Sequence, residues 1–303
     1  MDSYGPAGPD SSTSDQTSMN SRQATTAIHI TAVLFGLTGI FGELIQAGAI
    51  LITAGRATFA TATLLLFMAR TGHRPARPGR RALPVLLAAG VLLAIHWTTF
   101  FVAVKIGGIA IATLGFASFP AFITLFEGFL FRERTQASEW AVVVLVSAGL
   151  ALVTPSFDFG DQATVGLGWA VASGLSFALF TLANRKAVGQ LPARELACWE
   201  NGVVALLTLP WCLTEFADLR VLDWVWLLML GVFCTALSHA LLVASLARLK
   251  ARTAGIVIAL EPVYAILFAA VLFAQYPTAR ALAGGALIIG AIVWSGLRRA
   301  AAD

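Results

Sequence analysis

From about residue 27 onward the chain is a succession of apolar blocks. They lie near 27–45, 48–69, 82–104, 108–131, 138–155, 165–185, 196–214, 223–246, 253–273 and 279–298, separated by short polar connections. Each block is close to the ~17–25 residues that a helix needs to cross a bilayer. Helices are the natural reading, because a helix satisfies its own backbone groups in lipid. Runs such as Ala141–Leu152 lack the two-residue alternation of a membrane barrel strand. Residues 1–24 are different material, rich in Ser, Thr, Gly, Pro and Asp with no apolar period, and are expected to be disordered. They lack the basic start and small-residue cleavage site of a secretory signal, so the first apolar block is expected to remain as a span.

The blocks also repeat. Residues 112–150 and 254–292 align without a gap at an offset of 142, and ten of the 39 positions are identical. In a chain rich in Ala and Leu, the identities with weight are Pro120/Pro262, Phe126/Phe268 and Phe131/Phe273. Ten spans divide into five and five, and an odd number per half inverts the second half relative to the first. The expected fold is an all-α integral membrane protein with ten transmembrane helices in two inverted five-helix repeats. A tail at 1–25 precedes a first repeat at 26–155 and a second at 156–303, with the midpoint in the acidic loop Ser156–Asp161.

Composition and charge sharpen this. Apolar residues make up 58% of the chain, charged residues 12%, and the mean hydropathy is +0.82; a soluble domain carries about 25% charged residues. With the N-terminus in the cytoplasm, 16 of the 20 Lys and Arg residues fall on the cytoplasmic side. Lys105, Arg220 and Arg280 fall outside, and Arg56 lies within a span. This asymmetry predicts a multi-pass protein of the cell (plasma or inner) membrane with both termini cytoplasmic. The cytoplasmic basic residues are spread over six short segments, so the formal charge of +4 argues for anchoring rather than a nucleic-acid partner.

Reactive constellations are missing. Cys198, Cys212 and Cys234 have no metal-like spacing, the four His are scattered, and no nucleotide-loop, hydrolase or zinc motif occurs. An enzyme is not expected, nor a metal or cofactor. The informative residues are ionisable groups inside spans, which usually face the protein interior or a water-filled cavity. Arg56, Glu261, Glu200 with Asn201, His96 with Trp97, and His239 are the candidates for substrate or coupling-ion binding. A buried carboxylate, Glu261 or Glu200, is a candidate to exchange a proton for substrate. Pro120 and Pro262 fall in the middle of the fourth and ninth spans, where a lost backbone hydrogen bond permits a kink, and are hinge candidates.

These features resemble the drug/metabolite transporter superfamily, specifically its EamA-type family, over roughly residues 27–298. The resemblance rests on Phe119-Pro120-Ala121-Phe122 followed by Phe131-Arg132-Glu133-Arg134-Thr135. Glu261-Pro262-Val263-Tyr264 is the second copy, and Arg56-Ala57-Thr58-Phe59-Ala60 adds to it. The second copy departs at Gln275, where the family often has Glu. Glu43 stands near the outer end of the first span, where such proteins often carry Lys. The resemblance implies secondary transport of a small metabolite or drug-like molecule, often export, driven by exchange or an ion gradient. The expected partners are that substrate and the lipid bilayer, with proton coupling and a homodimer as open readings. A non-transporting membrane scaffold or regulator on the same fold is the alternative.

Overall fold

Every described element is helical. The computed structural model describes residues 20–302 except 74–77, 81, 131–136, 157, 188–191, 247, 250–253 and 255–256. Most of the tail and the Phe131–Thr135 motif with Glu133 therefore lie outside the described residues. The helices are α1 (Ser21–Leu44), α2 (Ala49–Arg70), α3 (Leu83–Phe116), α4 (Phe119–Leu130), α5 (Ala137–Val153), α6 (Gln162–Ala187) and α7 (Ala193–Thr208). They continue as α8 (Val221–Gly231), α9 (Ser238–Leu246), α10 (Glu261–Phe273) and α11 (Ala279–Ala302). A π-helical turn, Val232–Leu237, joins α8 to α9. Six helical stretches are long and apolar enough to cross a membrane, in α1, α2, α3, α6, α8–α9 and α11, and α5 and α10 are shorter apolar helices.

The differences from the expected spans have local causes. Helix α1 begins at Ser21, inside the stretch expected to be disordered. Asn20 caps it there, its side chain accepting the Gln23 N–H at 2.9 Å while Gln23 Oε1 accepts the Asn20 N–H at 2.8 Å. The third span and the start of the fourth run together as α3, with a kink at Gly108 (φ 80°, ψ 167°) at the expected boundary. Only glycine takes that backbone conformation freely. The seventh span ends early, because Pro210 follows Leu209 in a single 3-10 turn.

Small residues set the helix crossings. A Cβ on Gly166 of α6 would lie 2.6 Å from Gly107 Cα of α3, and one on Gly115 would lie 2.5 Å from Ala170 Cβ, so α3 and α6 pack backbone against backbone. Around that contact lies a core that includes Ile52, Trp97, Phe100, Phe101, Leu227 and Leu230. The outside is apolar as well. Leu206, Trp211, Val221 and Val271 are each at least 74% exposed, which suits lipid rather than water.

The three basic residues expected outside all serve helix ends. Lys105 Nζ donates to Ile45 O at 2.7 Å and Glu43 O at 3.3 Å, and Arg220 Nη2 donates to Leu44 O at 3.4 Å, all at the C-terminus of α1. Arg280 Nη2 donates to Ala151 O at 3.2 Å in the last turn of α5. A cation at a helix C-terminus satisfies orphan carbonyls and meets the negative end of the helix dipole.

Candidate functional site

The two prolines do not sit in the middle of continuous helices. Backbone turns at Ala117–Ser118 and Ala259–Leu260 end the preceding structure, and each proline is the second residue of a new helix, α4 or α10. The first turn tolerates proline because its missing N–H would lack an intrahelical partner in any case. The expected fourth and ninth spans are thus interrupted at corresponding points. Glycines let neighbours press on both interruptions. A Cβ on Gly174 of α6 would lie 2.9 Å from Phe116 O, and one on Gly36 of α1 would lie 3.2 Å from Glu261 O.

A cavity of about 90 Å3 lies where the interruptions meet. Its lining includes Phe116, Ala117 and Phe119 from one and Ile258, Ala259 and Glu261 from the other, three pairs each 142 apart. Pro262 also lines it. Glu261 is half-buried, the acid of the cavity wall, and the first residue of α10, where the helix dipole favours a negative charge.

Behind the cavity stands an aromatic cluster. The Phe116, Phe119 and Phe177 rings lie 5.1–5.3 Å apart. His96 joins them with centroids 5.0 Å from Phe116 and 4.9 Å from Phe177. Its Nδ1 lies 2.7 Å from Ser173 Oγ and 3.2 Å from Ser173 O. Since a carbonyl only accepts, and the Ser173 hydroxyl donates to His96 O at 3.0 Å, Nδ1 is the donor and Nε2 the acceptor of this imidazole. A matching bond joins the other half, where Thr31 Oγ1 of α1 donates to Ser238 O at 3.4 Å. Thr31 and Ser173 are 142 apart, as are His96 and Ser238, so the same carbonyl is met twice with the halves exchanged.

Arg56 is buried beside this cluster. Its Nε donates to Thr235 Oγ1 at 2.7 Å, and its guanidinium carbon lies 4.0 Å above the Trp97 ring. The π-helical turn positions Thr235, whose hydroxyl donates to Leu230 O at 2.9 Å, five residues back. Gly231 brings α8 against α2, since a Cβ there would lie 2.9 Å from Arg56 O. Arg56 and Glu261 make no ion pair within 4.0 Å among the described residues, yet each lies within the other's electrostatic reach. A low-dielectric interior carries that interaction across the gap.

The structure therefore brings Arg56 to Trp97, and His96 and Glu261 to a common aromatic wall. Glu200 and Asn201 form a separate buried polar group on α7. Glu200 is hydrogen bonded to Asn184 of α6, and Asn201 Nδ2 donates to Ala197 O at 2.8 Å on its own helix. Glu200 Oε1, Asn201 Oδ1 and Asn184 Oδ1 are buried with no hydrogen-bond partner. His239, half-buried on α9, is not part of the cavity wall. Sequence reasoning missed Ser173, Thr235, Asn184 and the cavity phenylalanines. Two of these follow from the repeat offset, Ser173 from Thr31 and Phe119 from Glu261.

Comparison with known proteins agrees with this architecture. Residues 24–154 and residues 164–297 match the model of the EamA-like transporter family. An uncharacterized transporter of Archaeoglobus fulgidus is 25% identical over 272 residues, covering 90% of this chain and 96% of that protein. The uncharacterized transporter YxxF of Bacillus subtilis is 24% identical, covering 82% of each chain. The pseudopaline exporter CntI of Pseudomonas aeruginosa is 27% identical over 246 residues, covering 78% of this chain and 82% of its own. A solved crystal structure shares the fold with a TM-score of 0.64 at 21% identity, covering 93% of this chain and 99% of that one.

Proposed function

The chain belongs to the EamA-like transporter family of membrane proteins, and from that premise we propose a secondary transporter that exports a small metabolite or drug-like molecule by alternating access. The observation that carries this reading is the cavity between the two interruptions, lined by residues paired at an offset of 142. At about 90 Å3 it is well below the ~300–1,000 Å3 of a ligand pocket. Substrate entry then requires the interrupted segments to move, and Pro120 and Pro262 stand at the points where they would pivot.

Ten spans in two inverted repeats suit the exchanged hydrogen bonds of Thr31–Ser238 and Ser173–His96. They suit equally the matching pressure of Gly174 and Gly36 on the two interruptions. A pseudo-two-fold axis in the membrane plane turns one half into the other, so bending one interruption while straightening the other exchanges inward and outward access. Glu261 offers a carboxylate to a substrate donor, Phe116 and Phe119 offer apolar faces, and Arg56 acts on the same space from its seat on Trp97. The relative named for pseudopaline export supports the outward direction. The charge asymmetry of the loops supports cytoplasmic termini and the cell membrane. The driving force is an ion gradient or exchange.

Proteoliposomes holding the full chain test this with pooled amino acids, nucleosides and cationic drugs, with and without a pH gradient. Saturable flux that Glu261→Gln abolishes, in protein of unchanged thermal stability, is the expected result. Flux indifferent to Glu261→Gln and to Phe119→Ala would remove the cavity from the pathway.

A further inference from the structure

The end of the bundle where α1 stops and α8 starts is closed by a polar latch. Asp223, in the first turn of α8, is 1% exposed, and each of its oxygens accepts two hydrogen bonds. Oδ1 accepts the Gln46 N–H at 2.9 Å and Arg220 Nη2 at 2.7 Å. Oδ2 accepts the Arg220 N–H at 3.0 Å and Arg220 Nε at 2.9 Å. Arg220 Nη2 also reaches Leu44 O at 3.4 Å. The bonds to Gln46 and Leu44 run from one half of the chain to the other. A two-pronged guanidinium–carboxylate pair has a fixed geometry, so Arg220 sets the orientation in which Asp223 meets the α1–α2 connection.

Beneath the latch the seal is apolar. Phe41 of α1 stacks on Trp226 of α8 with ring centroids 5.8 Å apart, and Ile45 and Leu51 are wholly buried. The Arg220 side chain, by contrast, is 46% exposed. Water at this rim can replace the broken bonds once the end opens, so the latch is reversible. Helix α1 links it to the cavity. Gly36, about two turns before Leu44, lies against the α10 interruption, where a Cβ would be 3.2 Å from Glu261 O. A shift of that interruption therefore moves the end of α1 against α8 through one continuous helix.

The repeat offset gives the latch no twin. At 142 positions from Asp223 stands Arg81, and from Arg220 Pro78. Those residue types do not rebuild an acid held by its own arginine at the opposite end, where symmetry would bring the end of α6 to the start of α3. We propose that Asp223, oriented by Arg220 and bonded to the Gln46 amide, is the gate at the α1–α8 end of the transport path: it holds α1 against α8 while that end is shut, and its bonds across the halves break when the cavity opens there. This inference rests on the transporter reading. A bond made in one access state and not in the other biases the pair of states, so a one-ended latch makes the state closed at this end the resting one. The loop charges read this end as the outer one, so the gate is the last barrier to an exported substrate. Lys105 is not part of it, because its bonds to Glu43 and Ile45 stay within the first half.

Spin labels on Gln46→Cys and Leu222→Cys, with the distance between them measured by pulsed electron resonance of the full chain in lipid, read the gate and need no substrate. The labels spare the latch, because Gln46 contributes its main-chain N–H and Leu222 is 56% exposed, and the three native cysteines are buried. With the latch intact, one short distance should dominate. Asp223→Ala should add a second, longer distance, with the open-to-closed ratio raised by about 10- to 100-fold, as expected for losing a charge-assisted hydrogen bond. Should Asp223→Ala fail to fold, Arg220→Gln keeps the carboxylate but frees its orientation, and should raise the ratio in the same direction. Lys105→Met should leave the single distance unchanged. A single distance in both latch variants, one broadened peak in place of two, or an equal change in Lys105→Met would each overturn the proposal. The transport reading fails separately. Absence of flux for every pool, with the second distance present, supports the latch and removes only the transport reading. Flux that persists after positions 46 and 222 are joined by a short bifunctional maleimide removes the gate and leaves transport standing.

Discussion

Replacing Arg56 by Lys keeps a positive charge in the core and removes the geometry that holds it. Two interactions are at stake. The Nε–Thr235 hydrogen bond, 2.7 Å long and made by a charged donor, is of a kind that contributes roughly 1.5–3 kcal/mol. The guanidinium 4.0 Å above the Trp97 ring adds about 2 kcal/mol when desolvated. A lysine ammonium keeps part of the second and loses the first, since it presents no planar fork. The expected loss is therefore about 2–4 kcal/mol, which at roughly 2 °C per kcal/mol for a chain of this size is a fall of roughly 4–8 °C in Tm. The assay is thermal unfolding of detergent-solubilised protein followed by tryptophan fluorescence, with Thr235→Val and the double variant completing a cycle. Arg56→Lys and Thr235→Val should share most of their effect, giving a coupling of about 1–2 kcal/mol. Full stability in Arg56→Lys, or a coupling near zero, would refute the claim that Thr235, positioned by the π-helical turn, holds this arginine in place.

Other outcomes follow from the same contacts. Gly174→Ala and Gly36→Ala should each destabilise by about 1–3 kcal/mol through overpacking, and each should slow flux. Gly168→Ala and Gly290→Ala, where a Cβ meets nothing within 4 Å, should not, and thermal unfolding of the four together checks the contrast. Lys105→Met should cost about 1 kcal/mol by uncovering the carbonyls of Glu43 and Ile45, read as faster amide exchange in the last turn of α1. Asp161 caps α6 by accepting from Thr164 Oγ1 at 2.9 Å and Thr164 N at 3.2 Å, and these bonds hold its carboxyl below the usual range. A depressed folded value means that the stabilisation is complete above the unfolded carboxyl range near about pH 4 and fades as the pH falls below it. Amide exchange at Ala163 and Thr164 should therefore quicken below that pH, and in Asp161→Asn it should be pH-independent apart from the intrinsic rate.

The all-helical, membrane-spanning architecture was legible in the apolar blocks because lipid demands long apolar runs, and six stretches of the described residues are long and apolar enough to cross. The form of the interruption was not. A proline within an apolar run fits a kinked helix and a broken one equally well. The choice here is made by long-range contacts, Gly174 against Phe116 O and Gly36 against Glu261 O, that no local pattern encodes. The pairing of candidates was similarly hidden. Arg56 is seated by Trp97 and by Thr235, whose role depends on a five-residue hydrogen bond that sequence periodicity does not announce. Asn184 lies near the end of α6 among residues of no special pattern.

The same offset that matches the backbones separates the chemistry. Thr31 and Ser173 are both hydroxyl residues, and the atoms they reach at Ser238 and His96 are main-chain carbonyls that every residue has, so this bond survives any divergence of the side chains. The functional side chains do not survive it. At 142 positions from Arg56 stands Cys198, from Trp97 His239, and from Phe119 Glu261. In the alternating-access reading proposed above, inverted halves need symmetric backbones, because each would adopt the shape of the other when access switches, but only one charged wall, because both access states would share one central site. Restoring symmetry at that wall puts this to work: Phe119→Glu sets a second carboxylate across a cavity of about 90 Å3 from Glu261. Two carboxylates that close do not both ionise readily, so one retains a proton. Flux in Phe119→Glu should fall at high pH and recover as the pH is lowered, whereas a wall that plays no part in transport would leave the pH profile of the unaltered protein unchanged.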